Sequence, residues 1–250
     1  MSLELDGRRI LVTGASGSIG RATAVKLAEA GAHVILNGRD MAKLEETAAL
    51  LPKSQTQIEA FDLNNGDAIP GWMLKLCEND RPLAGIAHTA GIYSMRPLRM
   101  TDASFVDNIL NVNVASGIML GKALRQKICH TEGASYVLVS SVSSRICGAG
   151  NVSYAASKGA VVAAAKAMAH ELIRDKIRVN CVVPATVESE MAERVRKTTP
   201  AEYWDAMTSR HPMGLGQPSD IANAICYLLS DATRWMIGTE LLIDGGMSVA

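Results

Sequence analysis

The chain of 250 residues is poor in aromatic side chains, with two Phe, five Tyr and three Trp. Trp72, Trp204 and Trp235 are too dispersed to form a base-stacking platform. An excess of one charge is also missing: 25 Lys plus Arg balance 25 Asp plus Glu, for a formal net charge of zero. That balance gives no support for nucleic acid or an anionic membrane as the main partner. The five cysteines, Cys77, Cys129, Cys147, Cys181 and Cys226, are odd in number and never form a C-x-x-C pair. Neither a disulfide framework nor a zinc site is therefore expected, and reduced thiols in a cytoplasm fit better. The histidines show no ligand spacing, so no metal is expected. No apolar signal core precedes the first strand in "MSLELDGRRILVTG", and no uninterrupted apolar run has membrane-spanning length. The expectation is a soluble, cytoplasmic protein.

Three near-matches exclude further classes. "GASGS" fails the serine-hydrolase elbow because Ser18 stands where the last glycine belongs. In "HELIR", Arg174 replaces the second histidine of a zinc-protease helix, and in "GIMLGKA", Ala123 replaces the hydroxyl of a phosphate loop.

What the chain has is a 48% hydrophobic content and a regular rhythm. Short β-branched runs ("RRILVTG", "HVILNG", "TQIEAFDL", "AGIAHTAG", "SYVLVSS", "IRVNCVVP", "TELLID") alternate with helical stretches. One of these, "DASFVDNILNVNVASGIMLGKALRQ", reads as a single long amphipathic helix. Such alternation means right-handed βαβ units on a parallel sheet. With no linker, repeat or low-complexity tract, the fold class is α/β, a Rossmann-type doubly wound parallel sheet, in one domain over residues 1–250. Residues 186–216 break the rhythm as a helical excursion between a strand and the last helix. A substrate lid is expected there.

"LVTGASGSIGRATA" joins the first strand to the first helix, with Gly14, Gly17 and Gly20 in the turn. Glycines let backbone approach a pyrophosphate at the helix N-terminus, and the location in the first βα turn predicts dinucleotide binding. After the second strand, "VILNGRD" offers Arg39 where an NAD site wants a carboxylate. NADP(H) is therefore favoured over NAD(H), with Arg39 facing the 2′-phosphate. The alternative is a solvated Arg39 with Asp40 turned back to the ribose. Asp62 ends the third strand, within reach of an adenine edge.

Tyr154 and Lys158 are four apart at the head of an alanine-rich helix and so share a face. An ammonium near a phenol favours the phenolate, which makes a tyrosine usable as a general acid or base. Ser141 ends the strand "SYVLVSS", thirteen residues earlier, at the edge where parallel sheets bind ligands. Asn113 lies in "LNVNVASG", where a polar side chain at a packable position wants a partner.

Together, "TGASGSIG", "HTAG", "NVNVASG", "VSSVSS", "SYAASK", "VNCVVPA" and "LLIDGG" resemble the short-chain dehydrogenase/reductases in order and spacing. The resemblance runs from residue 8 to about residue 247 and is nearest to the branch containing 3-oxoacyl-[acyl-carrier-protein] reductases. It implies a seven-stranded parallel sheet, a homotetramer or homodimer, and a catalytic set of Asn113, Ser141, Tyr154 and Lys158. In that family Tyr154 would exchange a proton with the carbonyl or alcohol oxygen, and Ser141 would orient it. Lys158 would hold the nicotinamide ribose and lower the tyrosine pKa, while Asn113 would position a water. Cofactor contacts would come from Gly14, Ser16, Gly17, Ser18, Ile19 and Gly20, from Arg39, Asp62 and Leu63, and from Ala90 and Gly91. Tyr154, Lys158, Pro184, Val187 and Ser189 would complete them. The small residues of "GAVVAAAKAMA" would form a subunit interface.

Departures from the family pattern are Ser18 for the middle loop glycine, Thr89 for asparagine, Ala185 for glycine and Ser189 for threonine. Two function classes follow: an oxidoreductase acting on a small carbonyl or alcohol, or a catalytically silent cofactor-binding sensor or scaffold. The substrate is left open between a carrier-bound 3-oxoacyl thioester and another carbonyl or alcohol, sugar or steroid-like, the last with NAD as an alternative cofactor.

Overall fold

Strand-forming runs rich in Val, Ile and Leu, each cut off by glycine or a polar turn, assemble into one parallel sheet. The computed structural model describes residues 3, 5–79 and 81–249. The strands are β1 (Arg9–Thr13), β2 (His33–Gly38), β3 (Thr56–Ala60), β4 (Leu83–His88), β5 (His130–Val139), β6 (Arg178–Pro184) and β7 (Glu240–Ile243). Their order is β3-β2-β1-β4-β5-β6-β7, all parallel. The helices are α1 (Ser18–Glu29), α2 (Met41–Ala48), α3 (Ile69–Leu76), α4 (Ala103–Leu110), α5 (Ser116–Leu124), α6 (Val152–Leu172), α7 (Glu190–Thr198), α8 (Ala201–Thr208) and α9 (Pro218–Leu229).

Side chains alternate across a strand, so each strand feeds two cores. Ile10, Val12, Val34 and Leu36 pack with residues of α1 and α9 on one face. Leu11, Ile35, Ile86 and Leu138 pack with residues of α3, α5 and α6 on the other. Every residue of β6 is buried, as expected of a strand covered on both faces. The strand order reverses between β1 and β4, which opens a crevice at their C-terminal ends.

The long helix expected over 102–126 runs unbroken from Ala103 to Leu124, but its middle is not α-helical. Between α4 and α5, residues Asn111–Ala115 form a π-helical turn in which the Ser116 N–H reaches the Asn111 carbonyl, five residues back. Periodicity cannot register such a turn, because one inserted residue changes the face without changing the composition. The 186–216 excursion contains α7 and α8, and a single bridge between Val187 and Gly216 closes its base.

Candidate active site

The turn between β1 and α1 is built for close approach. Gly14 has φ +66°, and a Cβ there would lie 2.8 Å from the Ala90 Cα. A Cβ on Gly20 would lie 2.2 Å from the Gly14 carbonyl oxygen. Gly17 is the N-cap of α1 and supplies no capping side chain. The first amides of α1 thus lack an internal partner and face a cleft of about 270 Å³. Ser18, the residue standing for a family glycine, accepts a hydrogen bond from the Glu190 N–H at 3.2 Å, joining this turn to α7.

Gly14, Ser16, Gly17, Ser18, Ile19 and Gly20 line this cleft, with Arg39, Asp62, Leu63, Ala90, Gly91 and Ser189. Arg39 is exposed and pairs with no carboxylate among the described residues. Asp40 is turned the other way: its carboxylate accepts the Lys43 N–H at 3.3 Å and caps α2. Asp62 accepts the Asn64 N–H at 3.0 Å, so part of its acceptor capacity stays in its own turn.

At the neighbouring edge of the sheet, Ser141, Tyr154, Lys158, Pro184 and Val187 line a second cavity of about 270 Å³. Thr89, Gly91, Ile92, Ile19, Ser189 and Met191 line both cavities, so the two adjoin. Lys158 is buried and its Nζ donates to the Val139 carbonyl at 2.9 Å. A Cβ on Gly91 would lie 3.5 Å from that Nζ, so the glycine leaves the amine its space. Burial pulls the Lys158 pKa down to about 8. Tyr154 packs edge-on against the ring of Tyr93, with centroids 4.7 Å apart.

The expected depression of the tyrosine pKa is not what the structure gives. Burial pushes the Tyr154 phenol up to about 12, with the Ser141 hydroxyl acting in the opposite sense. The Lys158 Nζ lies 5.6 Å from the Tyr154 ring centroid, and its hydrogen bond goes to a backbone carbonyl instead. Loss of hydration at the phenolate therefore outweighs the Ser141 hydroxyl.

Asn113 lines neither cavity. It is buried in the π-helical turn, where its Oδ1 accepts the Ile92 N–H at 2.8 Å and its Nδ2 donates to the Ile92 carbonyl and the Ser157 hydroxyl, both at 3.0 Å. One side-chain donor hydrogen braces the loop that carries Gly91, and the other ties the turn to α6. Of the departures, Thr89 donates its hydroxyl to the Thr13 carbonyl at 2.6 Å, and Ala185 donates its N–H to the Ile243 carbonyl at 3.0 Å. The Ser189 hydroxyl caps α7 by accepting the Ala192 N–H at 3.1 Å. Met191 and Arg194 of the expected lid segment line the cavities, as do Ile92 and Tyr93, which escaped the sequence analysis. Tyr93 and Ile92 directly follow the "HTAG" motif, which was the available signal.

Behind the site, His88 bridges strands and helix. Its Nδ1 is 2.8 Å from the Thr13 hydroxyl and its Nε2 is 3.3 Å from the Ser116 hydroxyl. Burial first, then the charge of Lys158, lowers its pKa to about 3, so the ring is neutral. Among the described residues, no group of His, Cys, Asp and Glu could hold a metal ion, and no helix is long and apolar enough to cross a membrane.

A glycine cradle at a topological switch point, uncapped helix amides and an unpartnered guanidinium fit a dinucleotide. With the Ser–Tyr–Lys cluster beside them, they define the dinucleotide-dependent oxidoreductases of doubly wound α/β fold. The chain belongs to the short-chain dehydrogenase/reductase family. A family model described as "Enoyl-(Acyl carrier protein) reductase" matches residues 14–248. The chain is 28% identical to a 3-oxoacyl-[acyl-carrier-protein] reductase of Rickettsia felis, over 98% of each chain. It is 31% identical to gluconate 5-dehydrogenase of Gluconobacter oxydans, over 98% of this chain and 96% of that one. Among solved structures it is similar to a short-chain dehydrogenase/reductase of the glucose/ribitol dehydrogenase type from Brucella melitensis, with TM-score 0.91, 28% identity and all of both chains covered. A protein from Beutenbergia cavernae proposed as an NAD(P)-dependent gluconate 5-dehydrogenase, with NADP bound at low occupancy, superposes with TM-score 0.91 and 27% identity over all of both chains. The protein is thus an oxidoreductase of the nicotinamide-dependent short-chain class.

Proposed function

We propose that the protein is an NADP(H)-dependent oxidoreductase that interconverts a carbonyl and a secondary alcohol. The observation that carries this reading is that the phosphate cleft adjoins a cavity walled by Ser141, Tyr154 and Lys158. When bound, the dinucleotide supplies or accepts the hydride. The α1 amides and Gly14, Ser16, Gly17, Ile19 and Gly20 would receive its pyrophosphate. Asp62, Leu63 and Ala90 would flank the adenosine, and Pro184, Val187 and Ser189 the nicotinamide. Ser141 orients the substrate oxygen, and Tyr154 gives or takes the proton on it. A phenol raised to about 12 is fully protonated at neutral pH, which suits donation during carbonyl reduction. Lys158 holds the ribose with its ammonium, and Asn113 acts as a brace of the Gly91 loop. Arg39, with Asp40 withdrawn into the α2 cap, supports NADP(H) over NAD(H).

The α7–α8 excursion serves as the substrate lid on this single domain. We further propose a homotetramer or homodimer, supported by the exposed Ala156, Ala163 and Ala167 along α6, and a cytoplasmic location, supported by five free cysteines. A 3-oxoacyl thioester and an oxo sugar acid are the two substrate readings, each favoured by one of the relatives above. Steady-state consumption of NADPH and of NADH, with acetoacetyl thioester and with a 5-oxo hexonic acid, tests the reading. Turnover of one of them, faster with NADPH, is expected. Preference for NADH would overturn the role of Arg39, and tight NADPH binding without turnover of any carbonyl would favour a sensor.

A further inference from the structure

We propose that the substrate carries a carboxylate and that Arg210 holds it. This rests on the reading of the Ser141–Tyr154–Lys158 cavity as the substrate site, and it names what enters that site. The residues lining the cavity include no Asp and no Glu, but two cations, Lys158 and Arg210. Lys158 is buried and its amine is engaged by the Val139 carbonyl at 2.9 Å, so its charge belongs to the reacting end. Arg210 enters from the excursion, just past α8.

Arg125, Arg145, Arg8 and Arg96 each pair with a carboxylate. Among the described residues Arg210 pairs with none. Its backbone is nonetheless fixed. The Arg210 N–H donates to the Met207 carbonyl at 3.3 Å. The next residue, His211, is buried, with Nδ1 3.0 Å from the Met207 carbonyl and Nε2 accepting the Thr186 N–H at 3.3 Å. These bonds anchor the arginine's backbone to the segment after β6, whose residues Ala185 to Val187 line the same cavity.

Met191, Val195, Trp204 and Met207 give the same cavity an apolar part, and Arg210 stands at its exposed side. A guanidinium presents paired N–H donors that match a carboxylate in a two-bond fork. A neutral thioester would leave Arg210 without a partner, whereas a carboxylate meets one cation and no repelling acid. The arrangement makes Arg210 a specificity-determining residue: the carbonyl or alcohol is held at Ser141 and Tyr154, the acid group at the excursion.

The test uses linear oxo acids of four to six carbons and their methyl esters as probes of the full-length protein. Turnover with NADPH is measured in the wild type, Arg210→Gln and Arg210→Lys. Equilibrium binding of the same probes is measured in a Tyr154→Phe background saturated with NADP+. At least one acid is expected to be preferred tenfold or more over its ester in the wild type. Arg210→Gln should remove that preference through KM and the binding constant, and Arg210→Lys should restore part of it. Equal handling of acids and esters by the wild type, an undiminished preference in Arg210→Gln, or no acid binding at millimolar concentration would overturn the proposal. Arg210-dependent binding of acids without any turnover would instead sustain it and overturn the proposed reaction. Brisk ester turnover with no acid preference would do the reverse.

Discussion

In the proposed reaction two residues four apart, Tyr154 and Lys158, carry most of the chemistry, and burial shifts them in opposite directions. Burial makes the Tyr154 phenol harder to ionise, to about 12, and the Lys158 ammonium easier to neutralise, to about 8. Below pH 8 Lys158 is charged and can donate charge-assisted bonds to a ribose; above it the amine loses that charge. NADPH affinity should therefore be flat from pH 6.5 to about 8 and then weaken, approaching tenfold per pH unit, with the inflection absent in Lys158→Met. A fluorescence titration across pH 6.5–9.5 checks this, and an unchanged wild-type affinity to pH 9.5 would contradict it. The pairing of Tyr154 with Lys158 was legible in the sequence because helical spacing fixes it. The direction of the tyrosine shift was not, because desolvation and the competing Val139 carbonyl are products of packing. Arg210 was likewise invisible as a site residue: only the chain reversal after α8 turns it toward the cavity.

Elements place these residues, and the joints between elements were harder to read than the elements. All seven strands and their parallel arrangement followed from β-branched runs and intervening helices, since both signals are local, whereas their order in the sheet was not read. The π-helical turn that seats Asn113 did not, because the bonds its side chain makes to the Ile92 backbone, 21 positions away, leave no mark on local periodicity. The joint between the glycine turn and α7 was equally hidden, since Ser18 and Glu190 are 172 positions apart. Ser18→Ala removes the acceptor of the Glu190 N–H, a loss of about 1 kcal/mol for one hydrogen bond. Amide exchange in residues 190–196 should then speed up about fivefold, while β1, β4 and β5 keep their protection. Unaltered exchange in α7 would show that the excursion is held by other contacts.

For the whole molecule, the site's geometry is inherited from the reversal of strand order between the paired strands β1 and β4. His88, at the end of β4, ties these strands to α5 through Thr13 and Ser116 while remaining neutral. Its folded-state pKa, about 3, lies below the ordinary 6.5. The unfolded chain therefore binds the proton more readily, and this contribution to stability is lost as pH falls from about 6.5 toward 3. Denaturant melts between pH 7 and 4 should show a steeper loss of stability in the wild type than in His88→Gln; parallel slopes would contradict a neutral buried ring.

The central claim is that Tyr154 moves the proton in a hydride-transfer reaction. Its most direct test is NADPH consumption with a carbonyl substrate by the wild type and Tyr154→Phe, with NADPH binding measured on both. The account predicts a fall in kcat of about 1,000-fold in Tyr154→Phe with the NADPH binding constant within about threefold of wild type. Turnover that survives the substitution at a comparable rate would contradict it.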